Sequence, residues 1–454
     1  MSITGRILRS NVDMTQGKPL TVIFSFALPL LVGNLFNQLY NVVDTAIVGR
    51  ALGADALAAV GSTGNINACL FLLLGGLSTG VGVIVAQYWG AQRYEALRRL
   101  LGTFFTLLLA GSVLLSVLGV ALAAPILRLL QIPADLLDMG VTYLRITAGL
   151  LLGNALYNAA SAVLRSTGDS RTPLAAMAAS SLCNIVLDLW FILGLRMGVA
   201  GAALATVAAQ FLSALICLWV LWRRKKPFVF ASVRLCFNSE DAALILRFGL
   251  PTALQSCMIT LGGMTVQGIV NSFGSVTMAA YTAVQRIDSL TIQVVVSVSN
   301  ALAVYTGQNM GRRDIDRVRQ GLRATLKALC VICLGLALAV FASRRLLLSI
   351  FLDPATDAAS IAQGADFLSV MGFAYIIAAV MNSYLNVLRG AGDVNVSLIA
   401  GLFEMGARLA FAGLLASRLG VWGIWLATPL SWASGCIIPV ARYYSKEWMK
   451  KALL

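Results

Sequence analysis

The sequence predicts an all-α polytopic membrane protein, with twelve transmembrane helices arranged as two parallel-repeat six-helix bundles around a central cleft. Three observations lead there. Apolar runs of twenty or more residues recur along the 454-residue chain, each long enough to cross a hydrocarbon core of about 30 Å. Only 12% of residues are charged and 59% are hydrophobic, whereas soluble domains carry about 25% charged residues. The second half of the chain also repeats the first. Alternating ten-residue blocks of the kind that build membrane barrels are missing.

Residues 1–19 form an expected cytoplasmic segment, with Arg6, Arg9 and Lys18 ahead of a long apolar run. No small-residue cleavage site follows a short apolar core, so that run is expected to stay as a first membrane helix rather than leave as a signal peptide. Apolar stretches at 20–49, 55–85, 97–124, 137–163, 172–195 and 197–222 make an N-terminal lobe, 20–222. Arg223-Arg224-Lys225-Lys226 and Arg234 then mark a cytoplasmic linker, 223–242. Stretches at 243–270, 276–306, 318–343, 359–387, 394–417 and 421–444 make a C-terminal lobe, 243–444, before a cytoplasmic tail at 445–454. With both termini inside, cytoplasmic segments hold 25 of the 34 Lys and Arg and outer segments hold 7. That is the bias the positive-inside rule describes.

The repeat is visible in four places. Leu164-Arg165-Ser166-Thr167-Gly168-Asp169 returns as Leu388-Arg389-Gly390-Ala391-Gly392-Asp393. Gly198–Thr206 returns as Gly420–Thr428, Gln87-Tyr88-Trp89-Gly90 as Gln308-Asn309-Met310-Gly311, and Pro29 as Pro251. Six helices separate each pair, so each motif falls on the same side of the membrane twice and the repeat is parallel.

Composition removes several functions. A net charge of +15 would suggest nucleic acid in a soluble protein, but here the basic residues lie between apolar runs, where they set orientation. The partner is therefore the lipid bilayer, and no nucleic acid is expected. The chain has no histidine, which removes histidine relays, serine–histidine triads and most zinc sites. Seven of the eight cysteines lie in apolar segments and read as small buried hydrophobes. No cofactor is expected.

The acids inside predicted helices are Asp44, Asp188, Asp288 and Glu404. Each costs about 2.5–3.5 kcal/mol at the bilayer centre, so each invites a functional reading. On the first helix, Asn34, Asn37, Gln38, Asn41, Asp44 and Thr45 fall within an arc of about 120°. Leu35, Phe36, Leu39, Val42 and Val43 lie opposite, with Tyr40 near the edge. Interhelical hydrogen bonding explains the amides, but a carboxylate needs a cation, a proton or an arginine. Pro29, just before the stripe, frees a backbone carbonyl and permits a bend. Asn184 and Asp188 share a face of the fifth predicted helix. Asp188 lies about 22 Å up from the inner side and Thr206 about 13 Å below the outer one. If the first helix runs to about Gly49, then Asp44, Asn184, Asp188 and Thr206 converge. Oxygen-only ligands suit a hard cation such as Na⁺ or a shared proton. Crowding two carboxylates favours proton capture. Glu404 and Arg408, one turn apart, either neutralise one another or serve the cleft. Arg286 and Asp288 do not share a face, so each needs another partner; Asp288 is a further cleft candidate.

The two-times-six repeat, Val42-Val43-Asp44-Thr45, the Leu164–Asp169 motif, Asn184-Ile185-Val186-Leu187-Asp188 and the Gly-rich run ending at Thr206 resemble the multidrug and toxic compound extrusion family, in its prokaryotic DinF-like branch. The resemblance covers nearly the whole chain. It implies an antiporter that exports cationic or amphipathic compounds in exchange for Na⁺ or H⁺; the expected setting is the inner membrane of a prokaryote, and a two-lobed transporter can work as a monomer. It also implies a cation site at Asp44, Asn184, Asp188 and Thr206. The substrate cleft is expected to use Asn34, Asn37, Gln38, Tyr40, Asn41, Asp288, Glu404 and Arg408. Another branch places a Glu in the seventh helix, where this chain has Pro251-Thr252-Ala253-Leu254-Gln255-Ser256 and no acid. A flippase for lipid-linked sugars is the rival with the same architecture, and a membrane-embedded enzyme is a distant third.

Overall fold

The computed structural model describes residues 12–224, 228–451 and 453. Arg6, Arg9, Lys225 and Lys226, used above to orient the chain, lie outside the described residues. Among the described residues all regular structure is helical. In chain order the long helices are α1 (Pro19–Leu52), α2 (Ala54–Gly90), α3 (Tyr94–Leu129), α4 (Ala134–Gly149), α5 (Leu152–Ser166), α6 (Arg171–Asp188), α7 (Gly198–Arg223), α8 (Ser239–Asn271), α9 (Ser275–Gly311), α10 (Ile315–Leu348), α11 (Ala358–Ala391), α12 (Asn395–Leu419) and α13 (Val421–Tyr444).

Eleven of the helical spans are individually long and apolar enough to cross a membrane, and α4 with α5 makes a twelfth as a pair bent by 44°. The sequence predicts that pair as one straight helix, 137–163. The break falls between Gly149 and Gly153. Gly153 presses against the Phe211 ring, where a Cβ would stand 2.9 Å from the ring edge.

The chain divides into two compact units. One takes Val32–Ala253, the other Asp13–Leu31 with Leu254–Leu454. Both divisions fall inside helices, two residues past Pro29 in α1 and two residues past Pro251 in α8.

The repeat is written into backbone geometry. Gly53 (φ 88°, ψ 178°) and Gly274 (φ 90°, ψ 176°) each precede a 37-residue helix. Those angles are open to glycine alone. A Cβ on Gly53 would meet nothing within 4 Å, so Gly53→Ala isolates the backbone cost. It is expected to destabilise by about 1–3 kcal/mol, read as a lower Tm of the purified protein; an unchanged Tm would contradict it.

Each unit also closes its Leu-Arg-x-x-Gly-Asp turn with an ion pair. Asp169 Oδ2 takes Arg224 Nη2 at 2.5 Å, and Asp393 Oδ2 takes Arg442 Nε at 2.7 Å. Asp169 Oδ1 also accepts from the backbone N–H groups of Arg171 and Thr172 at 3.1 and 3.0 Å. Those are free donors at the start of α6. Burial pulls the Arg224 guanidinium below its ordinary value, and Asp169 opposes that.

From Phe228 on, the linker is a docked strap. Phe228 is buried, Phe230 packs edge-on to Phe105 at 5.8 Å, and the Asn238 backbone N–H donates to Thr103 Oγ1 at 3.2 Å. Gly102 of α3 leaves room for Arg234 O and Cys236 Sγ. Arg99 then ties down Asp241 at 2.8 Å. The helix following the linker starts at Ser239, four residues before the expected 243.

Candidate functional site

Four helices of the first unit contribute to one polar cluster. α1 runs unbroken to Leu52, long enough to bring Asp44 to the depth of the other groups. α6 ends at Asp188 and continues as a π-helical turn, Leu189–Gly194, a widening that recurs at functional sites. Small residues at the start of α7 let that turn come close. A Cβ on Gly201 would stand 3.1 Å from Phe191 Cβ.

Asn184 and Asp188 are fully buried. With its amide oriented to satisfy both ends, Asn184 donates to Asp188 Oδ2 at 2.7 Å and accepts from the Thr206 backbone N–H at 3.1 Å. The side chains of Asp44 and Asp188 meet within hydrogen-bonding reach. Oδ1 of each is buried without a hydrogen-bond partner. Two carboxyls in contact need a shared proton or a cation between them, and the two unmet oxygens are acceptors for it. The donor set fits a hard monovalent cation or a proton. Asp44, Asn184, Asp188 and Thr206, named from the sequence, are therefore brought together.

Two tyrosines join them. Thr206 is within hydrogen-bonding reach of Tyr40 on α1 and Tyr143 on α4, and both rings lie close enough to Asp44 and Asp188 to feel their charge. Tyr40, expected in the substrate cleft, thus also lies near the carboxylate cluster. Tyr143, on α4 with the buried Thr147 one turn later, is not among the residues the sequence names.

An apolar layer lies one turn away on three of the four contributing helices. Val48 follows Asp44 by four residues, Ile192 follows Asp188 by four, and Ala202 precedes Thr206 by four on the oppositely directed α7. These three form one buried cluster, with Ile47, Ala51, Leu52, Val60 and Tyr143 packed around it. It keeps water off that side of the carboxyls, where electrostatic interactions then gain strength.

Along the rest of the α1 stripe, Asn37 and Asn41 are exposed and Asn34 and Gln38 half-buried. Asn41 donates to Asn37 Oδ1 at 3.5 Å, and Thr45 Oγ1 to the Asn41 carbonyl at 2.7 Å.

The remaining candidates belong to the second unit. Glu404 Oε1 holds Arg408 Nη2 at 2.5 Å, and Arg408 Nε donates to Ser431 Oγ at 3.3 Å. Asp288 lies beside the Tyr375 hydroxyl; Asp288 Oδ1 and that hydroxyl are both buried and lack a well-formed hydrogen bond. Arg286 is exposed and apart from Asp288, as their spacing requires.

A family model, MatE, matches residues 29–190 and again 251–414, each match opening on one of the paired prolines. The "Probable multidrug resistance protein YpnP" of Bacillus subtilis is 31% identical over 441 residues, covering 96% of this chain and 97% of that protein. The "FAD transporter" of Shewanella oneidensis is 25% identical over 435 residues, covering 93% of each. A solved structure described as an outward-facing multidrug resistance MATE family transporter of the MOP superfamily superposes with a TM-score of 0.89 at 22% identity, covering 97% of this chain and 99% of that one. A MOP superfamily transporter from Pyrococcus furiosus also gives 0.89 at 22% identity, covering 98% and 99%; at that identity both speak for the fold alone. With the family model matched across both halves and a relative above 30% identity along the chain, this multi-pass membrane protein belongs to the MatE family.

Proposed function

We propose that the chain is a secondary active antiporter that exports small cationic or amphipathic compounds in exchange for Na⁺ or H⁺. The pairing of Asp44 with Asp188, each with a buried unmet oxygen, carries this reading. A cation or proton arriving between them removes the repulsion of two adjacent charges and draws α1 toward α6 and α7. Release restores that repulsion and loosens α1, whose Pro29 leaves one helical hydrogen bond unmade. Each ligand then shifts the protein between states only by its difference in affinity for them. Asn37 and Asn41 supply exposed amides for a cargo of variable shape. The expected setting is the inner membrane of a prokaryote, with both termini cytoplasmic and the chain acting as a monomer.

The test is uptake of a fluorescent cationic dye into inverted membrane vesicles under an imposed Na⁺ or H⁺ gradient. Uptake driven by one gradient supports antiport and names the ion. No uptake under either, with the protein verified in the membrane, overturns the reading and turns the search to lipid-linked cargo. The FAD transporter among the relatives favours a second reading, FAD as cargo. Radiolabelled FAD in the same vesicles is the matching arm.

A further inference from the structure

The second unit holds a guanidinium without a counter-charge. Arg389 lies two residues before the end of α11. Its Nη2 donates to Gln255 Oε1 at 2.8 Å, while its Nε is buried with no partner. Among the described residues no charged neighbour acts on it. The acids closest to it in sequence, Asp393 and Glu404, are taken by Arg442 and Arg408. Arg389 is half-buried, and a guanidinium drawn out of water without a counter-charge is costly.

The surroundings fix that guanidinium in place. Gln255 is buried on α8, pressed against Gly401 of α12, where a Cβ would stand 3.0 Å from Gln255 Cγ. Ser397 shares the Gly401 face one turn earlier, fully buried with its hydroxyl unpaired. Asn386 shares the Arg389 face and has its Oδ1 unpaired. Of these the Ser397 hydroxyl and the Arg389 Nε–H are donors to spare for an acceptor ligand, while Asn386 Oδ1 can only accept.

We propose that Arg389, held by Gln255, is a receptor for a small acidic group, a carboxylate or phosphate that supplies the missing counter-charge. A guanidinium offers a planar fork of donors that matches either group. The site is separate from the carboxylate pair of the first unit and does not depend on the direction of transport.

The experiment measures Tm of the purified full-length protein in neutral detergent at constant ionic strength, with sodium benzoate, methyl phosphate or neutral benzamide as probes. Benzoate and methyl phosphate are expected to raise Tm in a saturable way, and benzamide is not. Arg389→Gln should weaken that response about tenfold or more. Gln255→Glu places a carboxylate on the guanidinium. It should raise Tm without any probe and abolish the response, which keeps the test open where Arg389→Gln does not fold. Nanodiscs distinguish the sources. A response kept in both phosphatidylcholine and phosphatidylglycerol supports a soluble acid, and one lost only in phosphatidylglycerol supports the phosphate of a net anionic lipid headgroup at the same guanidinium. The proposal is overturned by equal effects of benzoate and benzamide, by a full response in Arg389→Gln, or by a Gln255→Glu protein that is less stable and still responds.

Discussion

Asp188→Asn is expected to reduce gradient-driven dye uptake to that of vesicles lacking the protein, with insertion and folding intact. Asp44→Asn should do the same. Asparagine keeps the shape and the hydrogen bond from Asn184 at Asp188 Oδ2, so the fold loses little. What is lost is the second carboxylate, and with it the need for a proton or cation between the two. Removing a hydroxyl from the same cluster is milder. Tyr143→Phe or Thr206→Ala removes one hydroxyl beside the carboxyls, a change on the order of 1 kcal/mol, and should slow uptake roughly fivefold. The ordering matters more than any one value. If Tyr143→Phe silences uptake and Asp188→Asn leaves it unchanged, the cluster is structural glue and the coupling site lies elsewhere.

The two carboxylates were legible because an acid in a lipid-bound helix has few explanations. Asn184 could be added from its one-turn spacing to Asp188, and Thr206 from its depth. Each of these is a property of a single helix, which periodicity reports well. Tyr143 was not legible, because only the packing of α4 against α1 and α7 gives its hydroxyl a neighbour. Tyr40 stands at the edge of the polar stripe, where periodicity alone does not give its neighbours on other helices. The strap over α3 was hidden for a similar reason. Its basic start reads as a linker between two halves, while Phe228, Phe230 and the space above Gly102 show their purpose only when α3 is beside them. The break between α4 and α5 lies between two glycines that a hydropathy pattern passes over.

Arg408→Met is expected to cost about 3–5 kcal/mol, the penalty for stranding one member of a buried ion pair. Glu404 is buried, and its carboxylate is held by Arg408 at 2.5 Å. Methionine fills the volume and leaves that carboxylate without its cation. Glu404→Gln should cost less, since Arg408 keeps Ser431 and gains an amide oxygen. The double variant, Glu404→Gln with Arg408→Met, should recover most of the loss, because swapping both charges for neutral groups removes their desolvation cost along with their attraction. Tm values of the three variants give the coupling between the positions. Transport assays on the double variant then separate the two readings left open by sequence spacing. Recovery of both stability and dye uptake makes the pair a mutual neutralisation within α12 with no part in transport. Recovery of stability with uptake still absent contradicts that and gives Glu404 a part in handling ion or cargo.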